Sequence, residues 1–272
     1  MNNITKQAAM LIREIRSRVP LVHQITNYVT VNDCANITLA IGASPIMADD
    51  IGEAADITSI SNALVLNIGT LNERTVASML AAGKRANELG IPVVFDPVGA
   101  GASRLRNDTT HDILKNVKLA VLRGNISEIS FAAGLTASTR GVDASDTDAG
   151  NDGIAIAKKA AAELGCVAAV TGAVDCISDG ARIAAVRNGH SMLSKITGTG
   201  CMATALVGAC AGVADDYWTA AVAGIAAMGI AGEIAYEKTG HLGTGSYRMA
   251  VMDAVSLLDE ASFALRAKID AL

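Results

Sequence analysis

A glycine-rich turn followed by a cysteine is the segment of this chain whose residue types and spacing point most directly to chemistry. Gly198 and Gly200 flank Thr199, and Cys201 follows where a run of small residues predicts a helix. Glycines let backbone N–H groups converge without side-chain obstruction, and a helix that begins there adds the positive end of its dipole. The four residues are therefore predicted to form an anion socket that suits a phosphoryl group. The alternative is a glycine-rich packing turn with a buried structural cysteine.

Cys201 is predicted to lie in the first turn of that helix. A thiol in this position is expected to ionise more readily than a free thiol, whose pKa is about 8.5. A thiol hydrolase with a histidine partner stays open, because the four histidines are scattered and their spatial distance from Cys201 is not given by the sequence.

Two further candidates follow predicted strands. Asp96 comes directly after an apolar run, where a carboxylate can hold Mg²⁺ through waters, although a turn or helix-cap aspartate is a common alternative before Pro97. Asn125 and Glu128 come just after the next strand and share a face of an opening helical turn. The alternative for this pair is a capping box, with Asn125 as the N-cap and Glu128 at the third helical position.

The elements that must position these residues alternate along the chain. Apolar runs predict buried parallel strands, and longer stretches between them predict helices; the strands are Ala63–Ile68, Ile91–Phe95, Leu119–Leu122 and Val167–Thr171, and the helices are Asn72–Leu89, Thr109–Lys115 and Asp148–Leu164. A hairpin is predicted from Val174–Ile177 and Arg182–Val186, and the last third is predicted to be helical over Cys201–Val213, Tyr217–Lys238 and Ser246–Ala267. This order predicts a doubly wound α/β layer, whose site lies beyond the carboxyl ends of the strands.

Composition limits the class of protein. With 272 residues, 51% of them hydrophobic, one large domain over residues 1–272 is expected. The net charge of −5 and the lack of a basic cluster argue against a nucleic-acid partner. The apolar stretch Ala220–Ile230 is read as too short and too alanine-rich to cross a membrane, and residues 1–20 as an amphipathic helix instead of a signal peptide. Five cysteines, an odd number without a CxxC pair, favour reduced thiols in the cytoplasm.

Familiar sites are mostly missing from the sequence. No GxxxxGK[ST] motif is present, which excludes P-loop binding of ATP. Residues 198–203 match GxGxxA formally, but they lie late in the chain and open a helical region, so a dinucleotide site is disfavoured. The scattered histidines make a zinc site improbable.

The combination of motifs resembles the ribokinase-like superfamily and, within it, the kinases of 4-methyl-5-(β-hydroxyethyl)thiazole. The resemblance spans roughly residues 20 to 265, and six segments carry it in family order: residues 27–30 with Asn32 and 35–36, 42–48, 67–71, 96–101, 123–128 and 196–201. It implies a three-layer α/β/α fold with a mostly parallel sheet. It also implies transfer of phosphate from ATP, with Mg²⁺, to the alcohol of the thiazole in thiamine salvage.

The resemblance also implies roles residue by residue. Asp96 and Glu128 would position Mg²⁺ and the ATP phosphates; the ATP contacts would be Arg123, Asn125 and Thr171. The thiazole pocket would be lined by Asn27, Met47 and Gly198, and the anion hole formed by Gly198, Thr199, Gly200 and Cys201. The family is further similar in being a homotrimer with sites near subunit interfaces.

Cys201 stands where the superfamily commonly has a catalytic aspartate, although cysteine fits the thiazole kinases. The identity of the general base therefore stays open. Phosphoryl transfer asks mainly for alignment and charge neutralisation, so a weak base can suffice. Two other functions remain: a ribokinase-like kinase of another small alcohol such as hydroxymethylpyrimidine, and a non-catalytic protein that binds a thiazole or a nucleotide.

Overall fold

Nine strands form one sheet in residues 2–135 and 146–272, the part of the chain that a computed structural model describes. The spatial order is β2-β1-β3-β4-β5-β6-β7-β8-β9. In chain order the strands are β1 (Leu21–Ile25), β2 (Ser44–Ile46), β3 (Ala63–Asn67), β4 (Val93–Asp96), β5 (Val121–Asn125), β6 (Val167–Thr171), β7 (Asp175–Ser178), β8 (Ile183–Val186) and β9 (Ile269–Ala271).

Strands β1 to β6 run parallel, and their pairing aligns the polar residues at their carboxyl ends. Asn67 lies opposite Asp96, and Asn125 lies opposite Thr171. Inside the sheet β3 is buried along its whole length, as expected for a strand that is covered on both faces. The parallel strands therefore place these polar residues together at the carboxyl end of the sheet.

The other three strands are antiparallel. Strand β7 pairs with β6 and β8, and β9 closes that side against β8. The predicted hairpin is confirmed. Strand β9 was not predicted.

Helices cover both faces and give the predicted three layers. They are α1 (Asn3–Arg18), α2 (Val31–Ile41), α3 (Ala54–Ser59), α4 (Glu73–Leu89), α5 (Arg104–Asn116), α6 (Ile126–Ala132), α7 (Asp146–Leu164), the 3-10 turn η1 (Ser191–Lys195), α8 (Thr199–Ala211), α9 (Tyr217–Thr239), α10 (Thr244–Leu257) and α11 (Glu260–Arg266). Alternate residues of β3 serve the two faces: Val65 belongs to the core with α8 and α9, whereas Leu64 and Leu66 belong to the core with α4. The expected mostly parallel α/β/α fold with a helical C-terminal third is confirmed.

Two predicted helices are wrong in their extent. The helix predicted over Thr109–Lys115 begins five residues earlier, at Arg104. The stretch Ser246–Ala267 is two helices, because Leu258 is extended and Asp259 begins α11. The Asp259 carboxylate accepts the N–H of Ser262, and the Ser262 hydroxyl accepts the N–H of Asp259. This reciprocal cap restarts the helix where apolar periodicity alone suggested continuity.

Glycines let α8 and α9 pack at close range. A Cβ at Gly224 on α9 would lie 2.6 Å from the backbone of Val207 on α8. Gly208 instead brings α8 close to the sheet, because a Cβ there would overlap Val65 Cγ2 of β3. Helix α9 is long and apolar enough to cross a membrane by length and composition, unlike the shorter segment considered from the sequence, but 89% of its apolar window is buried inside the protein. It is the central helix of this core.

Candidate active site

Helix α8 begins at the predicted glycine turn. Gly198 is its N-cap with φ of 87°, a left-handed conformation that glycine adopts without strain. No side chain caps this end, so the first amide groups of α8 have no partner within the helix. A Cβ at Gly200 would lie 2.7 Å from Arg123 Nη1, which shows how closely the guanidinium approaches the turn. The socket is thus open to an anion and faced by a cation.

A cavity of about 360 Å³ lies in front of this turn at the carboxyl ends of the parallel strands. It brings together nine of the predicted site residues: Asn27, Asp96, Arg123, Asn125, Glu128, Thr171, Gly198, Gly200 and Cys201. Thr199 lines a neighbouring cavity, and Met47 lines neither.

Asp96 is fully buried at the end of β4, and its two carboxylate oxygens differ. Oδ2 accepts hydrogen bonds from Thr204 Oγ1 at 2.7 Å and Asn67 Nδ2 at 3.0 Å, and Arg123 Nη1 lies 3.5 Å away. Oδ1 is buried without a hydrogen-bond partner. Burial raises the pKa of Asp96 despite the Arg123 charge, which lowers it. An unpartnered buried oxygen is unfavourable unless a cation or a donor reaches it, so this atom lacks a partner that a ligand could supply.

Glu128 and Asn125 form the capping box that the sequence offered as an alternative. Asn125 Oδ1 accepts the N–H of Glu128, and Glu128 Oε2 accepts the N–H of Asn125 at 2.8 Å. The other oxygen, Oε1, accepts the N–H of Gly99 at 2.8 Å. Each carboxylate oxygen can accept a further hydrogen bond or metal contact, and Glu128 lines the cavity. The cap and a role at the cavity are therefore compatible.

Arg123 and Thr171 meet across neighbouring strands. Arg123 Nη2 donates to Thr171 Oγ1 at 2.8 Å, and this hydroxyl donates to the carbonyl of Gly124 at 3.2 Å. Arg123 Nε is buried without a partner. The guanidinium therefore keeps a free donor in a place where phosphate oxygens could accept it.

The thiol of Cys201 contradicts the expectation of easy ionisation. Burial raises its pKa first, and the charge of Asp96 raises it further. Hydrogen bonds from Thr30, Asn27 and Asn67 lower the pKa but do not offset these effects. The sequence argument counted the helix dipole, and it left out desolvation and the neighbouring carboxylate, which outweigh it.

Asn27 and its neighbours form the wall opposite Asp96. Asn27 Nδ2 donates to Cys201 Sγ at 3.2 Å and to Asn67 Oδ1 at 2.9 Å, and its Oδ1 accepts the N–H and hydroxyl of Thr30. A Cβ at Gly69 would lie 2.8 Å from Asn27, so only glycine lets this loop close on the pocket.

Met47 lies elsewhere in this single chain. It follows β2 and packs partly buried against the core that contains α8 and α9. The backbone of the next residue, Ala48, is held in place, because its carbonyl accepts the Nε2–H of the buried His23 at 2.7 Å. Burial lowers the pKa of that histidine. Met47 is thus fixed at a place that one chain does not bring to the cavity.

A second cavity of about 570 Å³ adjoins the first. The two share Arg123, Thr171 and Gly200 in their walls. Asp175, which the sequence interpretation passed over inside its predicted hairpin, lines the second cavity; its Oδ1 accepts the N–H of Gly172 at 2.9 Å, and burial raises its pKa to about 6. His190 also lines it and stacks on Tyr236 with ring centroids 3.5 Å apart.

Sequence reasoning missed three other residues that shape the site. Asn67 was seen only as part of a motif, and Thr204 carried no signal in an apolar helix. Arg106 on α5 donates to the carbonyls of Ile68, Gly69 and Val98, which ties the loops after β3 and β4 together. The only sequence signal for Asn67 was a polar residue near the end of the predicted strand Ala63–Ile68.

Comparisons with known proteins show the family of this chain. The profile of the Hydroxyethylthiazole kinase family matches residues 12–261. Hydroxyethylthiazole kinase of Ruminiclostridium cellulolyticum is 66% identical over 271 residues, covering 99% of both chains, and that of Clostridium beijerinckii is 63% identical over 260 residues, covering 94% of both.

One solved structure is similar at the level of the family, and a more distant one is similar in its fold alone. A hydroxyethylthiazole kinase structure from Pyrococcus horikoshii OT3 superposes with a TM-score of 0.89 at 38% identity, covering 97% of this chain and 98% of that one. A pyridoxal kinase from Staphylococcus aureus in complex with AMP-PCP is similar with a TM-score of 0.58 at 15% identity, covering 79% of this chain and 89% of that one, which shows a shared fold only. By its profile match and by full-length relatives, the chain belongs to the hydroxyethylthiazole kinase family.

Proposed function

We propose that the cavity at the start of α8 is where ATP phosphorylates the hydroxyl of 4-methyl-5-(2-hydroxyethyl)thiazole, giving the thiazole phosphate for thiamine salvage. The observation that carries the placement is the juxtaposition of the uncapped glycine turn at Gly198 with the buried Asp96 and Arg123. Membership of the family supplies the reaction type. All of residues 1–272 serve this function as one domain, because a single sheet carries the site.

The residues fit a Mg²⁺ ion that is bound through substrate and water. Within residues 2–135 and 146–272 no cluster of three His, Cys, Asp or Glu side chains forms a metal cage. Asp96 Oδ1 is buried without a hydrogen-bond partner, and Glu128 lies close enough for its charge to raise the pKa of Asp96. Mg²⁺ commonly takes one or two carboxylates together with phosphate oxygens and waters. Bound there, it would neutralise charge on the transferring phosphoryl group.

The nucleotide would span both cavities. Arg123 Nε is the free donor for a phosphate oxygen, Thr171 Oγ1 holds the guanidinium toward it, and Asn125 lines the same wall. The amides of residues 199–201 would stabilise negative charge as it develops. The second cavity, which opens beside Thr171 and Gly200, has room for the nucleoside.

The alcohol would lie on the side of Asn27, Gly198 and Cys201. Cys201 is the proposed proton acceptor. Only the thiolate can accept the alcohol proton, and burial and Asp96 raise the pKa of this thiol, so the minor ionised fraction would act as the base. A loose transition state needs little proton removal before the phosphoryl group transfers, which suits a scarce base. Met47 stays a proposed thiazole contact, and in an oligomer it would have to reach the cavity of a neighbouring subunit.

A homotrimer is proposed on the family resemblance. Exposed large apolar side chains support it: the exposed fractions of Tyr28, Val29, Leu39 and Met249 are 79%, 54%, 58% and 62%. Val29 lines the site cavity, whereas Leu39 and Met249 line a separate cavity between α2 and α10. We place the protein in the cytoplasm, because Cys34, Cys166, Cys201 and Cys210 are free thiols.

The first test is a coupled assay of ADP release with the thiazole alcohol and, in parallel, with hydroxymethylpyrimidine. Turnover with the thiazole alone is expected. Preference for the pyrimidine would favour the other small-alcohol kinase, and binding of both ligands without ADP release would favour a non-catalytic binding protein.

The metal assignment has its own test. Asp96→Asn should raise the Mg²⁺ concentration needed for half-maximal turnover, and Glu128→Gln should lower kcat far more than stability. Arg104→Met, at a side chain that is 94% exposed on α5, is the control. Unchanged turnover of the Glu128 variant at saturating Mg²⁺, with the fold intact, would remove that residue from the metal site.

A further inference from the structure

Asn67 occupies the centre of the site, although no role in the reaction has been given to it above. It is the last residue of β3, it is 1% exposed, and it is paired in register with Asp96. Its side chain therefore lies at the carboxyl ends of β3 and β4, beside Asp96 on β4 and the Gly69 loop that follows β3.

Both the oxygen and the nitrogen of the Asn67 side-chain amide make two hydrogen bonds each. Oδ1 accepts Asn27 Nδ2 and the N–H of Gly69, each at 2.9 Å. Nδ2 donates to Asp96 Oδ2 at 3.0 Å and to Cys201 Sγ at 3.3 Å. A carboxylate can only accept, so the amide has one workable orientation. Rotation of the group would leave several buried polar atoms without partners.

We propose that Asn67 is a positioning residue for phosphoryl transfer, holding the Asp96 carboxylate and the Cys201 sulfur at a fixed separation while it braces Asn27 on the alcohol side. This inference rests on the proposed function. A neutral amide suits the place because its two N–H groups stand between the Asp96 carboxylate and a sulfur that must carry negative charge, as a thiolate, before it accepts the alcohol proton. An aspartate would bring a second negative charge to both, and an alanine would leave the carboxylate and sulfur without their shared donor.

A purely structural asparagine would use only the acceptor half, since Gly69 and Asn27 need Oδ1 to close the loop. Asn67→Asp keeps that acceptor and removes the donors. Asn87 offers a matched control at the opposite end of the sheet: its Oδ1 accepts the N–H of Lys118, and its Nδ2 donates to the carbonyl of the same residue. Asn87→Asp makes the same chemical change away from the cavity.

The experiment compares Asn67→Asp, Asn67→Ala, Asn87→Asp and Asn87→Ala with the wild type in the ADP-release assay and in urea unfolding. Both Asn67 variants should lower kcat by roughly 30-fold or more with the KM for ATP within about threefold, whereas the Asn87 variants keep kcat. A double-mutant cycle with Cys201→Ser should be non-additive, with Asn67→Ala costing much less in the serine background.

Three results would overturn the proposal: Asn67→Asp retaining kcat within threefold of the wild type, equal losses for the Asn67 and Asn87 variants at equal stability, or additive effects in the cycle. If Asn67→Ala does not fold, the isosteric Asn67→Asp and the cycle of Asn67→Asp with Cys201→Ser decide. The wild type is also assayed for slow hydrolysis of ATP by water. A wild type that turns over no alcohol contradicts the proposed function. In that case the rates of ATP hydrolysis by the wild type and by Asn67→Asp still show whether the substitution disturbs the phosphate side of the site.

Discussion

Replacing Gly198 by alanine should disable the site through one methyl group. A Cβ at Gly198 would lie 2.6 Å from Thr30 Cγ2. Ordinary van der Waals contact begins at 3.4 Å, so the two groups must separate from 2.6 Å to 3.4 Å, an opening of about 0.8 Å. Thr30 holds Asn27, and Gly198 begins α8, so the opening moves the alcohol wall away from the anion socket. Misplacements near 1 Å cost about 10²-fold in rate, and we expect kcat to fall roughly 10- to 100-fold.

The stability cost divides into two parts that a control separates. Gly90 also has a left-handed backbone, with φ of 70°, but a Cβ there meets nothing within 4 Å. Gly90→Ala should therefore lose only the backbone strain of about 1–2 kcal/mol and keep full activity. Gly198→Ala should lose a further 1–3 kcal/mol or so from overpacking. Urea unfolding measures both values, and the ADP-release assay measures kcat.

A second substitution tests the cause of the loss. Thr30→Ser removes Cγ2 and keeps the hydroxyl that bonds Asn27, so Gly198→Ala/Thr30→Ser should regain at least fivefold in kcat over the single variant. The reasoning is refuted if folded Gly198→Ala retains kcat within threefold of Gly90→Ala, or if the double variant is no better than the single one.

Three other predictions follow from groups in and around the site. The raised pKa of Cys201 means that kcat should increase from pH 7 toward pH 9 if the sulfur accepts the proton, and Cys201→Ser should lose this increase together with roughly 10- to 1,000-fold in kcat; a flat wild-type profile would exclude the role. The Asp175 carboxyl, with a pKa of about 6 against an ordinary 3.8, is harder to ionise in the folded state, so wild-type stability falls as pH rises from about 4 through 6. Asp175→Asn should therefore raise the free energy of unfolding by up to about 3 kcal/mol at pH 8 and by less than about 1 kcal/mol at pH 4, and equal gains at both pH values would contradict this. Arg106→Met should lower the free energy of unfolding by about 3 kcal/mol and kcat by roughly tenfold, because three loop carbonyls lose a charged donor. Arg104→Met on the same helix should change neither quantity. Matching results for the two variants would show that Arg106 does not hold the two loops together.

The parts of the fold that the sequence predicted share one property, a continuous apolar run. Strands β3 to β6 have it, and their ends differ from the prediction by at most three residues. Strand β1 was missed because His23 and Gln24 interrupt its pattern; both are buried and bonded to Thr58 and Thr38. Strands β2 and β9 are three residues long, too short for periodicity to register. Their pairing depends on the rest of the sheet.

The site divides in the same way. Residues at strand ends and at the glycine turn could be predicted to meet, since the carboxyl ends of parallel strands share one edge. The partners of those residues could not. Thr204 reaches Asp96 across 108 positions of sequence, and the state of the Cys201 thiol depends on burial and on a carboxylate from another strand. Distances of this kind follow from packing, which local patterns do not encode.

The glycine-lined contact between α8 and α9 extends the catalytic constraint to residues that never touch a substrate. A methyl group at Gly224 would press on the backbone of α8, whose first turn is the proposed anion socket. A variant library confined to the cavity wall would therefore overlook positions able to abolish turnover. An engineer who seeks a more thermostable enzyme meets the same limit, because larger core side chains cannot be introduced along this contact. Improvement has to come from helix caps, loops and surface charge, which leave the spacing of the two helices untouched.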